Sequence, residues 1–168
     1  FDRDSMIFAD GAGATILEAQ SNSTAGIIAH KTQSHTFKEA YYLYCGPSCN
    51  PDVQSNELYI KMDGRKIYEY ALTNVPMVIK EAIDRAGLDI SDIKKVLVHQ
   101  ANGKMDEAIA KRLFKLYDRT DMPEGTIPMT IATLGNSSVA TIPTMLDLIL
   151  KNNMDTHELN EGDTVVFA

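Results

Sequence analysis

Short apolar runs of strand length alternate along this chain with segments whose apolar residues recur at helical spacing, and that alternation constrains the fold more than any other feature. Each such element has one face that must be buried against another. A series of strands and helices in turn therefore specifies a layered α/β domain. Strands are expected at residues 6–9, 14–17, 26–30, 58–62, 96–98 and 164–167. Helices are expected at about residues 67–86, 102–117 and from 138 onward. Pro76 falls inside the first and should kink it or split it, and Gly87 is placed to stop it. Residues 31–57 show no period and read as a long surface excursion.

The net charge of −7 and the scatter of the lysines argue against a nucleic-acid partner, which needs clustered cations. No apolar run is long enough to span a membrane. Two cysteines, Cys45 and Cys49, make no disulfide framework, so a reducing cytoplasm is the expected compartment. The chain opens on Phe1-Asp2-Arg3 and closes in the β-rich run 164–168, which reads as a piece of a longer protein.

Two segments put a hydrogen-bonding side chain where an extended stretch meets a helix. His99-Gln100-Ala101-Asn102 follows the strand at 96–98, and Gly135-Asn136-Ser137-Ser138 precedes the last helix. Strand ends in α/β folds are where ligands usually bind. Taken singly, His99 also reads as a structural histidine, and the second segment as a turn with an N-cap. A different class of reading is a metal-binding module built from His30, His35, Cys45 and Cys49.

In order along the chain stand Asp10-Gly11-Ala12-Gly13-Ala14, Lys61-Met62-Asp63-Gly64, Val98-His99-Gln100-Ala101-Asn102 and Gly135-Asn136-Ser137-Ser138-Val139-Ala140. Together they resemble the β-ketoacyl-acyl carrier protein synthase III family of condensing enzymes. The resemblance runs over nearly the whole chain. It implies a thiolase-like half, a layered mixed β-sheet flanked by helices. Residues 1–168 would be the C-terminal domain, ending before a final Gly-rich loop and strand.

The resemblance further implies an acyltransferase that starts fatty acid synthesis by decarboxylative Claisen condensation of an acyl thioester with malonyl-acyl carrier protein. His99 and Asn136 would be two members of a Cys-His-Asn set, donating N–H bonds to the enolate oxygen. A neutral His99 with its proton on the oxygen-facing nitrogen would suffice. Ala101 and Asn102 would line a pantetheine tunnel, and Lys104 would meet the acidic carrier protein. No cofactor is implied beyond the phosphopantetheine that carries the substrates, on CoA or on the carrier protein, and no metal. The full-length protein would be a homodimer. Neither cysteine stands at a helix start, so the nucleophile is expected in a preceding half, and the isolated chain is expected to be inactive. The alternative within the same superfamily is a synthase III-like enzyme of specialised lipid or polyketide synthesis, with the same His99–Asn136 pair and another starter. Gly11 and Gly13 are expected to allow close packing in the core.

Overall fold

The computed structural model describes residues 2–168. After a 3₁₀ turn at Arg3–Ile7 and a second at Glu39–Tyr41, strand β1 (Leu43–Gly46) pairs antiparallel with β2 (Tyr59–Met62). Helix α1 (Gly64–Arg85) leads through a 3₁₀ turn at Ile90–Asp92 into β3 (Ile93–Leu97) and then α2 (Gly103–Lys115). A single turn, α3 (Ile131–Leu134), and a 3₁₀ turn at Ser138–Ala140 precede α4 (Thr141–Leu150). The last strand, β4 (Thr164–Phe167), lies parallel to β3. Among the described residues the strands make two separate pairs, β1–β2 and β3–β4.

β3 is the centre of the molecule, and its alternation explains why. Val96 and Val98 face α1 and α2, where they join Ile79, Ile83, Leu113 and Phe114 in the main core. Leu97 points the other way and packs on Met145 and Ile149 of α4. Helices thus cover both faces of this strand, and it reads as a near-continuous apolar run.

Helix α1 begins where Asp63 accepts the Lys66 N–H (3.3 Å). It ends at Gly87, whose φ of +71° no other residue adopts as cheaply. There the Leu88 N–H reaches Ile83 O and the Gly87 N–H reaches Asp84 O, closing the last turn. Contrary to expectation, Pro76 does not divide the helix. Proline removes the N–H that would have bonded the carbonyl of Leu72, and Arg112 of α2 donates to that carbonyl instead (2.9 Å). Interhelical packing thus restores the missing bond.

The strands expected at 6–9, 14–17 and 26–30 are not formed. A strand exists only with a neighbour to pair with, and these segments have almost none among the described residues. Ile16 and Ile27 stand exposed, and the only ladder element is a bridge from Phe8 to Asn136. Within 31–57, read as excursion only, β1 was missed. Its four residues carry too short a pattern, and pairing with β2 is what makes it a strand. Leu116 and Leu150, which continue the apolar spacing of their helices, fall at helix ends and are exposed. No helix among the described residues is long and apolar enough to cross a membrane.

Candidate active site

His99 is held by the strand pair in front of it. Its N–H donates to Ala168 O (2.7 Å), while the Ala168 N–H donates to Leu97 O, so the β3–β4 ladder runs on to the histidine. Gln100, the next residue, is fully buried, and a buried amide must find partners. Its Nε2 donates to Pro128 O (2.7 Å) and lies 3.1 Å from Met145 Sδ. Its Oε1 accepts from the N–H groups of Thr130 (2.7 Å) and Ile131 (2.8 Å). Gln100 thereby fixes the segment that carries the chain to Asn136. Sequence reading gave it no role; the signal available was an amide set directly after an apolar strand.

Asn136 is 3% exposed and its side-chain Oδ1 accepts the Ser138 N–H (3.0 Å). The Ser138 carbonyl lies 3.1 Å from His99 Nδ1. One backbone residue therefore holds both predicted side chains. Ser138 does so at φ +54°, in the left-handed region. With Oδ1 engaged, Asn136 keeps its Nδ2 donors for another acceptor.

The His99 contact indicates the tautomer of the neutral ring. A carbonyl only accepts, so Nδ1 carries the hydrogen, and a neutral ring then has a bare lone pair on Nε2. Burial pushes the imidazole below its ordinary value, with the Ser138 carbonyl pulling partly back. A neutral His99 is thus an acceptor at Nε2, not the donor expected.

The glycine-rich segment meets this site. The Ala9 N–H donates to Asn136 O (2.7 Å). A Cβ on Gly11 would come within 2.8 Å of Ser137 Cβ, and one on Gly13 within 2.2 Å of Pro143 Cγ. The close approach expected of these glycines is present, at an exposed surface and not in the core.

Ala101 packs beside Leu72, Met105 and Ile109. Asn102 caps α2, its Oδ1 accepting from Lys104 (3.0 Å) and Met105 (3.4 Å). Asn102→Ala is expected to cost about 1 kcal/mol of stability, read as a shift in the urea unfolding midpoint. Lys104 is exposed. Cys45 and Cys49 are free and exposed, and Cys49 Sγ takes a contact from Lys61 Nζ at 3.1 Å. His35 packs edge-on against Tyr70. The alternative metal set is not assembled: among the described residues no three His, Cys, Asp or Glu side chains are grouped to hold an ion.

Layered α/β packing around one strand, with His and Asn side chains at adjoining strand and helix ends, is the architecture of thiolase-fold condensing enzymes. The structure of 3-oxoacyl-[acyl-carrier-protein] synthase III from Aquifex aeolicus shares the fold, with a TM-score of 0.71 at 24% identity over 88% of this chain and 41% of that one. Residues 83–168 match the model of the 3-oxoacyl-[acyl-carrier-protein] synthase III C-terminal family, and the chain belongs to that family. It is 30% identical over 174 residues to β-ketoacyl-[acyl-carrier-protein] synthase III 2 of Lactiplantibacillus plantarum, covering 97% of this chain and 49% of that protein. It is 32% identical over 165 residues to the synthase III of Erythrobacter litoralis, covering 96% and 47%. The chain spans about half the length of the curated relatives it matches.

Proposed function

We propose that residues 1–168 are the C-terminal part of a β-ketoacyl-acyl carrier protein synthase III, which joins an acyl group from acyl-CoA to malonyl-acyl carrier protein and starts fatty acid synthesis. The observation that carries this reading is the shared anchor at Ser138, which holds His99 through its carbonyl and Asn136 through its N–H. The nucleophilic cysteine belongs to sequence outside this chain. In the acyl-transfer half, its thiol gives a proton to His99 Nε2, its sulfur takes the acyl group, and the proton passes to the departing CoA thiolate. In the condensation half, malonyl loses CO₂ and the enolate oxygen receives an N–H bond from Asn136 Nδ2. His99, which takes a proton from solvent once CoA has left, adds a second from Nε2; the enolate carbon then attacks the acyl thioester, the C–C bond forms and the cysteine thiolate leaves. Ala101 and Asn102 line the pantetheine path, with Asn102 Nδ2 left over from the cap. Lys104, exposed at the start of α2, meets the acidic carrier protein. The working protein is a cytoplasmic homodimer, and this chain alone does not turn over.

The test is condensation by the full-length protein, with acyl-CoA and malonyl-acyl carrier protein as substrates. The expected product is the 3-oxoacyl-carrier protein. Its absence from an intact protein carrying the upstream cysteine would overturn the reading. The pH profile follows from the lowered His99 value. Acyl transfer needs the neutral ring, so it holds at neutral pH and falls only as pH drops through a value below the ordinary 6.5. A rate that rises on acidification would return His99 to a donor role alone.

A further inference from the structure

Two lysines follow one another in β3 and face opposite ways. Lys94 is exposed, while Lys95 is only 5% exposed. The Lys95 amine reaches the Gly125 carbonyl at 2.7 Å and lies 3.4 Å from His157 Nδ1. No carboxylate among the described residues is within ion-pair distance of it. Gly125 takes φ +76°, the left-handed region that favours glycine, and so turns its carbonyl to the Lys95 amine. Lys95 and His157 line a cavity of about 740 Å³, remote in sequence from His99 and sharing no lining residue with that site.

A buried cation with a carbonyl and an imidazole for company, and no counter-ion, is poorly placed to stay charged. Burial and the neighbouring Lys94 push the amine below its ordinary value, and the more distant Glu158 and Asp163 pull it partly back. Burial and Lys95 also push His157 below its ordinary value, with the Gly125 carbonyl pulling partly back, so its ring is neutral at neutral pH. Lysines desolvated in this way are the ones that act as nucleophiles toward carbonyls.

We infer that Lys95 captures small neutral aldehydes as a Schiff base, with His157 as its proton acceptor. The ammonium gives a proton to His157 Nδ1, and the free amine adds to the aldehyde carbon to form a carbinolamine. The imidazolium returns the proton to the hydroxyl, which leaves as water, and the C=N bond forms. The cavity wall selects the substrate. Asp92, Glu124, Asp155, Glu158 and Asp163 line it against Lys94 and Lys95, so an anionic carbonyl compound is repelled. This inference is independent of the His99 reading.

The experiment treats the intact 168-residue chain with limiting propanal and cyanoborohydride at neutral pH, then maps the N-propyl lysines by peptide mass. Lys95 is expected to be labelled about tenfold ahead of the exposed lysines, because a larger share of it is unprotonated. Glyoxylate, an anionic aldehyde, should label Lys95 far less while still reaching the exposed lysines. H157Q should slow Lys95 labelling and leave the others alone. If Lys95 stays unlabelled while exposed lysines react, the amine is a structural ammonium and the inference fails. If H157Q changes nothing, the proton role of His157 falls.

Discussion

Replacing Asp106 with asparagine should stabilise the protein at pH 8 by about 2–4 kcal/mol, with the gain shrinking as pH falls towards 4. Asp106 sits in the first turn of α2, is wholly buried, and neither carboxylate oxygen has a hydrogen-bond partner among the described residues. Burial pushes its carboxyl up to about 7 from an ordinary 3.8. The helix N-terminus favours an anion there by only ~0.3–1 kcal/mol, too little to offset the lost hydration. The folded chain therefore keeps the proton to about pH 7, while the unfolded chain releases it near 4. Between those values folding takes up a proton, so stability falls as pH rises, and above about 7 the full penalty is present. Asparagine has the same shape and no charge to desolvate. Its own unmet amide costs much the same at every pH, so the difference between pH 5 and pH 8 isolates the ionisation. Urea unfolding of both proteins at the two pH values reads it. A wild-type stability that tracks the variant's across that range would show that Asp106 has a partner.

The same residue marks where sequence reading stops. The apolar residues of α2 at helical spacing, Met105, Ile109 and Leu113, are all buried. Period alone does not reveal that Asp106, one step along, turns inward as well. The helix start near Asn102, the stop at Gly87 and the strand at 96–98 were legible because each rests on local chemistry. The segments at 14–17 and 26–30 were misread because strand propensity needs a partner, and a partner is a property of the tertiary structure. His99 and Asn136 were legible as a pair only through their motifs. What joins them, a left-handed Ser138, leaves no trace in composition or period, since serine seldom takes that conformation. Which ring nitrogen of His99 carries the hydrogen was not legible for the same reason: it depends on which atom faces Nδ1, and here that atom is a carbonyl oxygen.

Changing Asn136 to aspartate in the full-length protein should lower kcat for condensation by about 10²–10³, and at a position only 3% exposed it should also cost stability that is regained as the new carboxyl is protonated at lower pH. The two functions of the side chain are on different atoms. Oδ1 accepts the Ser138 N–H at 3.0 Å, and a carboxylate oxygen accepts it equally well. Nδ2 is the donor assigned to the enolate oxygen, and aspartate has none. Aspartate also sets a negative charge where negative charge develops, so the loss should be no smaller than that from removing a neutral donor. An alanine variant mixes these effects, because it also frees the Ser138 N–H and loosens the carbonyl that holds His99. The informative comparison is therefore aspartate against alanine, with kcat, KM and thermal unfolding measured for each. Both variants should lose turnover with little change in KM, and the stability lost by aspartate should shrink as pH falls while that lost by alanine does not. If aspartate retains near wild-type turnover, Asn136 serves only to shape the Ser138 turn, and the enolate must find its donor elsewhere. Decarboxylation of malonyl-acyl carrier protein without an acyl acceptor, followed in the same variants, places the defect. A donor lost at the enolate slows that partial reaction as much as the whole, while a displaced His99 slows acyl transfer first.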